Sequence, residues 1–254
     1  MSASLDPAFD DFLDAIGESI AFLRKHPFYE DAENRASANA FLTSVVVARI
    51  EENLVWDADF PFFRVIDPRS REGADNADQR YLVSRVTGGA TYRIWGKVGS
   101  ARRLEFQVYA GNPYLEGGGR SASSLTFEDL DVADDGAFEV FLSPQRVSGN
   151  WLENPHDGTK IFVRQIYGAW SFDSPRKVHI DRVGSEGALS PQVTEDVLAG
   201  RLRQAAADLR SHVRVWPQVV QHFLEELAPN ELGGAAGLWS FGGRAGPVDG
   251  PRHL

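Results

Sequence analysis

Two aspartates and an asparagine crowd into the segment EGADNADQRYL, residues 72–82, as Asp75, Asn76 and Asp78. Paired carboxylates can divide acid and base roles on a glycoside or a carbon acid. His156, in the loop after NWLENP, is the histidine best placed in sequence to join them. Asp75, Asp78 and His156 are therefore the catalytic candidates, for metal-independent hydrolase or lyase chemistry. The same residue types have a plainer use. Asp and Asn side chains accept backbone N–H groups and stabilise unusual turns, with Arg80 or Arg93 as neutralising partners. A third reading makes the segment the rim of a binding site, because loops on a rigid β scaffold commonly carry one. Asn76, Arg80, Tyr81 and Arg93 would then contact the ligand.

Arg164 and Gln165 interrupt an otherwise apolar strand, KIFVRQIY. An arginine there needs a carboxylate such as Asp75 or Asp78, or else faces a cavity and clamps an anionic or carbonyl group. Asn150 and Trp151 follow a glycine. Trp151 suits either a core corner or a stacking platform for a sugar or ring.

Stronger catalytic signatures do not appear. The six histidines are scattered, and His212 and His222 lie ten apart, which does not give the one-face spacing of a helical metal pair. There is no H-E-x-x-H, G-x-S-x-G or phosphate-loop pattern. EGGGR at 116–120 lacks the lysine and the strand–turn–helix context of a phosphate cradle. Glu105 and Glu139 occupy polar strand faces, where solvation is the ordinary fate of a glutamate. No metal and no cofactor are expected.

The formal net charge of −10 over 254 residues gives a surface that repels phosphate backbones, so nucleic acid is not an expected partner. The chain has no cysteine, which excludes disulfides and thiolate metal sites and fits a reducing compartment. The N-terminal MSASLDPAFDDFLDAI lacks the basic start and apolar run of a signal peptide. No apolar run reaches the roughly 20 residues that span a bilayer. The expectation is a cytoplasmic protein with no membrane contact.

Periodicity predicts what holds these residues. Phe9, Phe12, Leu13, Ile16, Ile20 and Leu23 form one apolar stripe on a helix that Asp6 and Pro7 begin. A second helix covers roughly 31–53, with Ala36, Ala40, Phe41, Val45, Ala48 and Ile50 toward the core. From 81 to about 183 the period becomes two. YLVSRV, ATYRIWG, RRLEFQVYA, DLDVA, AFEVFLS, KIFVRQIY and KVHIDRV are strand candidates, and ADDGAF is a hairpin signal. A long helix, kinked at Pro217, follows from about 191 to 228. The predicted class is α+β: an antiparallel β-sandwich or jelly-roll-like domain with an N-terminal helical pair and a long C-terminal helix. Its divisions are 1–56 (helical pair), 57–187 (sandwich), 188–230 (C-terminal helix) and a glycine-rich tail, 231–254.

IDPRSREGADNADQRYLVSRVTGGATYRIWGKVGSARRLEFQVY resembles the signature of the domain of unknown function 1214 family. SGNWLE and IFVRQIYGAW resemble two further elements of that family, in the same order. The likeness covers roughly residues 60–183. Ala77 stands where a proline is usual, and Glu72 where an apolar or aromatic residue is usual. Longer relatives continue past PNEL (229–232) into a second β-rich half. The resemblance implies a β-sandwich; the loop-borne site expected on that scaffold would bind a polar or aromatic small molecule, carbohydrate-like among the candidates, in a pocket near the 72–81 loop. The apolar stripes of the N- and C-terminal helices would leave an exposed patch that twofold association buries, so a homodimer is expected, with the second subunit helping to close the pocket.

Overall fold

A computed structural model describes residues 5–66, 76, 78–111, 119–169, 174–190 and 192–226, the last nine as backbone only. Its helices are α1 (Leu5–Arg24), α2 (Ala32–Ile50) and α3 (Glu195–Glu226). Between α2 and α3 the described residues form nine strands: β1 (Arg64–Ile66), β2 (Gln79–Arg85), β3 (Tyr92–Lys97), β4 (Arg103–Ala110), β5 (Arg120–Leu125), β6 (Ala137–Ser143), β7 (Asn150–Glu153), β8 (Gly158–Ile166) and β9 (Val178–Arg182). They build a sandwich. One sheet has the order β1-β2-β8-β4-β5, the other β7-β6-β3-β9. The α+β class and the segregation of helices from strands agree with the sequence reading.

Alternation explains the sandwich. Leu104, Phe106 and Val108 of β4 and Ile161 and Val163 of β8 point inward, where they meet Ile94, Val140 and Leu142 of the facing sheet. Phe106 and Phe138 cross the interior edge to face, 5.7 Å apart. Each such side chain contributes about 1.5–3 kcal/mol by leaving water.

The pairings are antiparallel except one: β7 runs parallel to β6, Val140 opposite Asn150 and Ser143 opposite Glu153. Parallel neighbours normally need a long crossover. Here β7 is so short that the loop must step back only three residues along β6, roughly 10 Å, and residues 144–149 reach that far. The expected strand DLDVA does not form. A 3-10 turn, Phe127–Asp129, takes its first residue. The backbone N–H and C=O of Asp131 bond to the Asn150 side chain instead of to a neighbouring strand.

The helices make their own core. Ala8, Phe12, Ala15 and Leu23 of α1 pack on Ala199, Leu202, Ala206 and Leu209 of α3. The single stripe expected on α1 is divided: Phe12 and Leu23 are buried, whereas Phe9 and Leu13 are 45% and 61% exposed. Asp6 lies inside the first turn of α1 rather than before it. Asp31 caps α2, its carboxylate accepting the N–H groups of Glu33 and Asn34 at 2.9 and 3.0 Å. Those donors hold its carboxyl below the usual range. The face of α2 differs from the expected one. Ala36, Ala40 and Ile50 are exposed, and the buried side carries Ala38, Leu42, Val45, Ala48 and Arg49. Arg49 turns inward because Glu52, one turn on, meets it at 3.0 Å. A π turn, Glu51–Val55, ends α2 and buries Glu52 and Asn53.

That turn joins the two layers. Glu52 also pairs with Lys160 of β8, and its carbonyl accepts Arg85 of β2 at 3.1 Å. Arg64 of β1 pairs with Glu51, and Arg201 of α3 reaches Asp57 at 3.1 Å. No described helix is long and apolar enough to cross a membrane.

Candidate functional site

A groove lies on the solvent face of the four-stranded sheet. Strand register builds it. Trp95 of β3 stands between Glu139 of β6 and His179 of β9, and Arg93 between Phe141 and Asp181. The polar face of β3 thus reads Arg93-Trp95-Lys97, and that of β9 reads His179-Asp181, with Lys177 just before the strand. The rings of Trp95 and His179 stack at 4.2 Å with 16° between their planes. The Trp95 indole N–H donates to Asp181 Oδ2 at 2.6 Å, which fixes the ring upright on the sheet. The Arg93 guanidinium lies 5.5 Å from the indole centroid and pairs with Glu139. Exposed strand faces ordinarily carry polar side chains, with an aromatic pair as an addition that needs a reason.

The walls come from loops. Residues 174–177 run beside β3, tied down by the Ser174 N–H on Ser100 Oγ at 2.7 Å. Gly96 is required there: a Cβ would sit 2.7 Å from the Lys177 carbonyl oxygen. Segment 131–133 and residues 148–150 form the opposite wall, and the whole encloses about 1160 Å³ open to solvent. Lys97 is engaged by Asp135 at 2.8 Å, and that bond holds the Asp135 carboxyl below its ordinary range. Arg176 and Lys177, by contrast, have no carboxylate partner among the described residues, so this corner is basic within an acidic protein.

The residues singled out from sequence fall in several places. Asp75 lies outside the described residues. Asn76 accepts the Asp78 N–H at 2.8 Å, an Asx turn, and its own N–H donates to the Tyr81 hydroxyl at 3.1 Å. The Asp78 carbonyl accepts the Tyr167 N–H at 2.9 Å, just past the end of β8. His156 sits before the start of β8 and is exposed. The nine residues of β8 separate them, roughly 25–30 Å of strand. The structure therefore does not bring Asp78 and His156 to one place. The turn around His156 is a packing element. Asn154, fully buried, donates to the carbonyls of Thr87 and Ala90 at 2.9 and 2.8 Å.

Arg80 donates to Gln165 Oε1 at 3.0 Å, and Gln165 Nε2 donates to the Arg176 carbonyl at 3.0 Å. These two residues tie the sheets together and anchor the groove wall. Asn150 is consumed by backbone: it bonds both groups of Asp131 and the Glu139 carbonyl. Trp151 lies on the outer face, its indole N–H on Ser143 Oγ at 2.9 Å and Arg146 over its ring at 5.2 Å. Of the expected ligand contacts, Arg93 and Asn150 line the groove, and the Asn150 side chain is spent on backbone. Arg164 and Tyr81 meet on the other sheet, with the guanidinium 5.9 Å from the ring centroid.

Sequence reasoning missed Trp95, His179 and Asp181. Their signal was present as an aromatic on the polar register of YRIWGK and a histidine on that of KVHIDR. Only the pairing of two strands distant in sequence turns these into one surface.

Among the described residues no cluster of histidines and carboxylates is placed to hold a metal. No protein-family model matches the chain, and no curated protein matches it. A solved structure of an uncharacterized protein from Burkholderia cenocepacia is similar, with a TM-score of 0.74 and 26% identity over 82% of this chain. The chain spans 58% of the length of that protein.

Proposed function

We propose that the protein binds a polar, ring-bearing small molecule, carbohydrate-like ligands among them, in the groove on the four-stranded sheet. One observation carries this reading: the Trp95–His179 stack stands on a solvent face beside the Arg93–Glu139 pair, in a groove sized for a small ligand. Rings supply contact area, and the flanking charges supply direction. The groove wall is linked to Arg80 of β2 through Gln165 and the Arg176 carbonyl. Membership of the domain of unknown function 1214 family is part of the same proposal and rests on the motifs quoted above.

The openness of the groove favours binding over turnover. The alternative, a metal-independent hydrolase or lyase, would need acid and base groups converging on one point, and Asp78 and His156 do not converge. Titration of indole fluorescence with a panel of mono- and disaccharides and aromatic metabolites tests the proposal. Saturable quenching that vanishes in Trp95→Ala is expected. A panel that leaves the wild-type fluorescence unchanged overturns it, and product formation from any bound member would replace binding with catalysis.

A further inference from the structure

We propose that Arg164 and the rings around it form a second site, on the outer face of the five-stranded sheet, for the carboxylate of an aryl acid. The inference does not rest on the groove across the sandwich.

The argument begins with charge. Arg164 is partly buried, and its bonds go to neutral groups: Nη1 to Gln107 Oε1 at 2.7 Å and Nη2 to the Tyr109 hydroxyl at 3.1 Å. Glu105 stands directly opposite it in the β4–β8 register, yet the carboxylate of Glu105 lies 3.7 Å from Arg103. No carboxylate among the described residues pairs with Arg164. A guanidinium carries five N–H donors in one plane, and a partly desolvated one is costly without a counter-charge. The remaining donors are suited to a planar, two-oxygen acceptor.

The surroundings are organised ahead of any ligand. The Tyr109 hydroxyl donates to Gln107 Oε1 at 2.8 Å, and Gln107 Nε2 donates to Ser121 Oγ at 2.9 Å. This chain of bonds fixes both acceptors and so fixes the guanidinium. Pre-organisation of that kind lowers the entropic cost of binding. Tyr81 and Phe162 flank the cation at 5.9 and 5.8 Å. Tyr109 meets Phe162 edge to face at 5.1 Å. A carboxylate on Arg164 would bring its attached group against Tyr81 and Phe162, and an aromatic ring suits that contact. The Asn76 N–H on the Tyr81 hydroxyl sets the rim.

Benzoate and its neutral isostere benzamide are the probes. In calorimetric titration of the wild-type protein, benzoate should bind at least about tenfold more tightly than benzamide, the value of a hydrogen-bonded charge. Arg164→Gln should abolish that preference. A second readout needs no variant: in nitrogen–proton spectra of the wild type, benzoate should shift the Gln107 side-chain amide. Equal binding of the two probes overturns the proposal. So does a shift confined to the Trp95 indole N–H, which would place the acid in the groove, or an undiminished preference in folded Arg164→Gln. A carboxylate of the chain itself already seated on Arg164 would show as no benzoate binding, and that also overturns it.

Discussion

Trp95 and His179 face each other across neighbouring strands with centroids 4.2 Å apart, although 84 positions separate them in the chain. Nothing local demands the pair. The stack exists because Trp95 lies opposite His179 in the β3–β9 register and because Asp181 holds the indole N–H.

His179→Ala should therefore separate stability from binding. The stack is half in water, so its loss is expected to cost about 0.5–1.5 kcal/mol in urea unfolding. Affinity for a ring-bearing groove ligand should fall by roughly tenfold, equivalent to about 1.4 kcal/mol. Unchanged affinity in this variant would remove the ring pair from the binding surface.

Tyr92 links the sandwich to the segment after α2. Its hydroxyl donates to the Ala58 carbonyl at 2.9 Å and accepts the Thr87 N–H at 2.8 Å. Burial pushes this hydroxyl above its ordinary range. A group with a raised folded-state pKa contributes stability that is complete below its unfolded value and lost as pH rises through the folded one. The contribution should accordingly be intact below about pH 10 and decline above it. Tyr92→Phe is expected to lose about 1–3 kcal/mol at neutral pH. Its unfolding curves should also fall less steeply than the wild type's on the alkaline side.

Glu52 is the shared carboxylate of Arg49 and Lys160 and is 3% exposed. Glu52→Gln removes that common partner from a buried site and should cost about 3–5 kcal/mol. Glu139→Gln breaks an exposed pair with Arg93 and should stay within about 1 kcal/mol. Guanidinium denaturation of both variants checks the contrast. Similar losses would mean that the seam around Glu52 is wetter than its burial indicates.

Gly88 lies against the backbone of the His156 turn. A Cβ there would come within 2.5 Å of the His156 carbonyl carbon and 2.7 Å of the Gly158 nitrogen. Main chain cannot swing aside as a side-chain tip can. Gly88→Ala should cost about 1–3 kcal/mol or more and lower the thermal midpoint. His156→Ala, which keeps that backbone, should be close to neutral.

The strands whose faces differ most in polarity were legible. AFEVFLS gives β6 at both boundaries, since Phe138, Val140 and Leu142 alternate with Glu139 and Phe141. β5, with the sequence RSASSL, has no apolar face to betray it and exists by pairing with β4. DLDVA alternates like a strand but finds a side chain, Asn150, where a partner strand would be. On α2 the pattern misled because Arg49 and Glu52 are buried by pairing with each other, which no hydropathy count anticipates. For the sites, type was visible and adjacency was not. Arg93 and Arg164 stood out as cations in strands. The residues they serve depend on registers set by distant pairings.

The seam at Glu52 also bears on how the molecule comes apart. The sandwich and the helices have separate apolar cores, and between them lie ion pairs and hydrogen bonds to Glu51, Glu52 and Asp57. Polar seams add little cooperativity, so the layers should behave as two foldons. Native-state amide exchange should show α1 and α3 opening at a common, lower free energy while β4 and β8 remain protected to the global limit. Calorimetric and van't Hoff enthalpies should then disagree, with the helical layer melting first from a sandwich that is still folded.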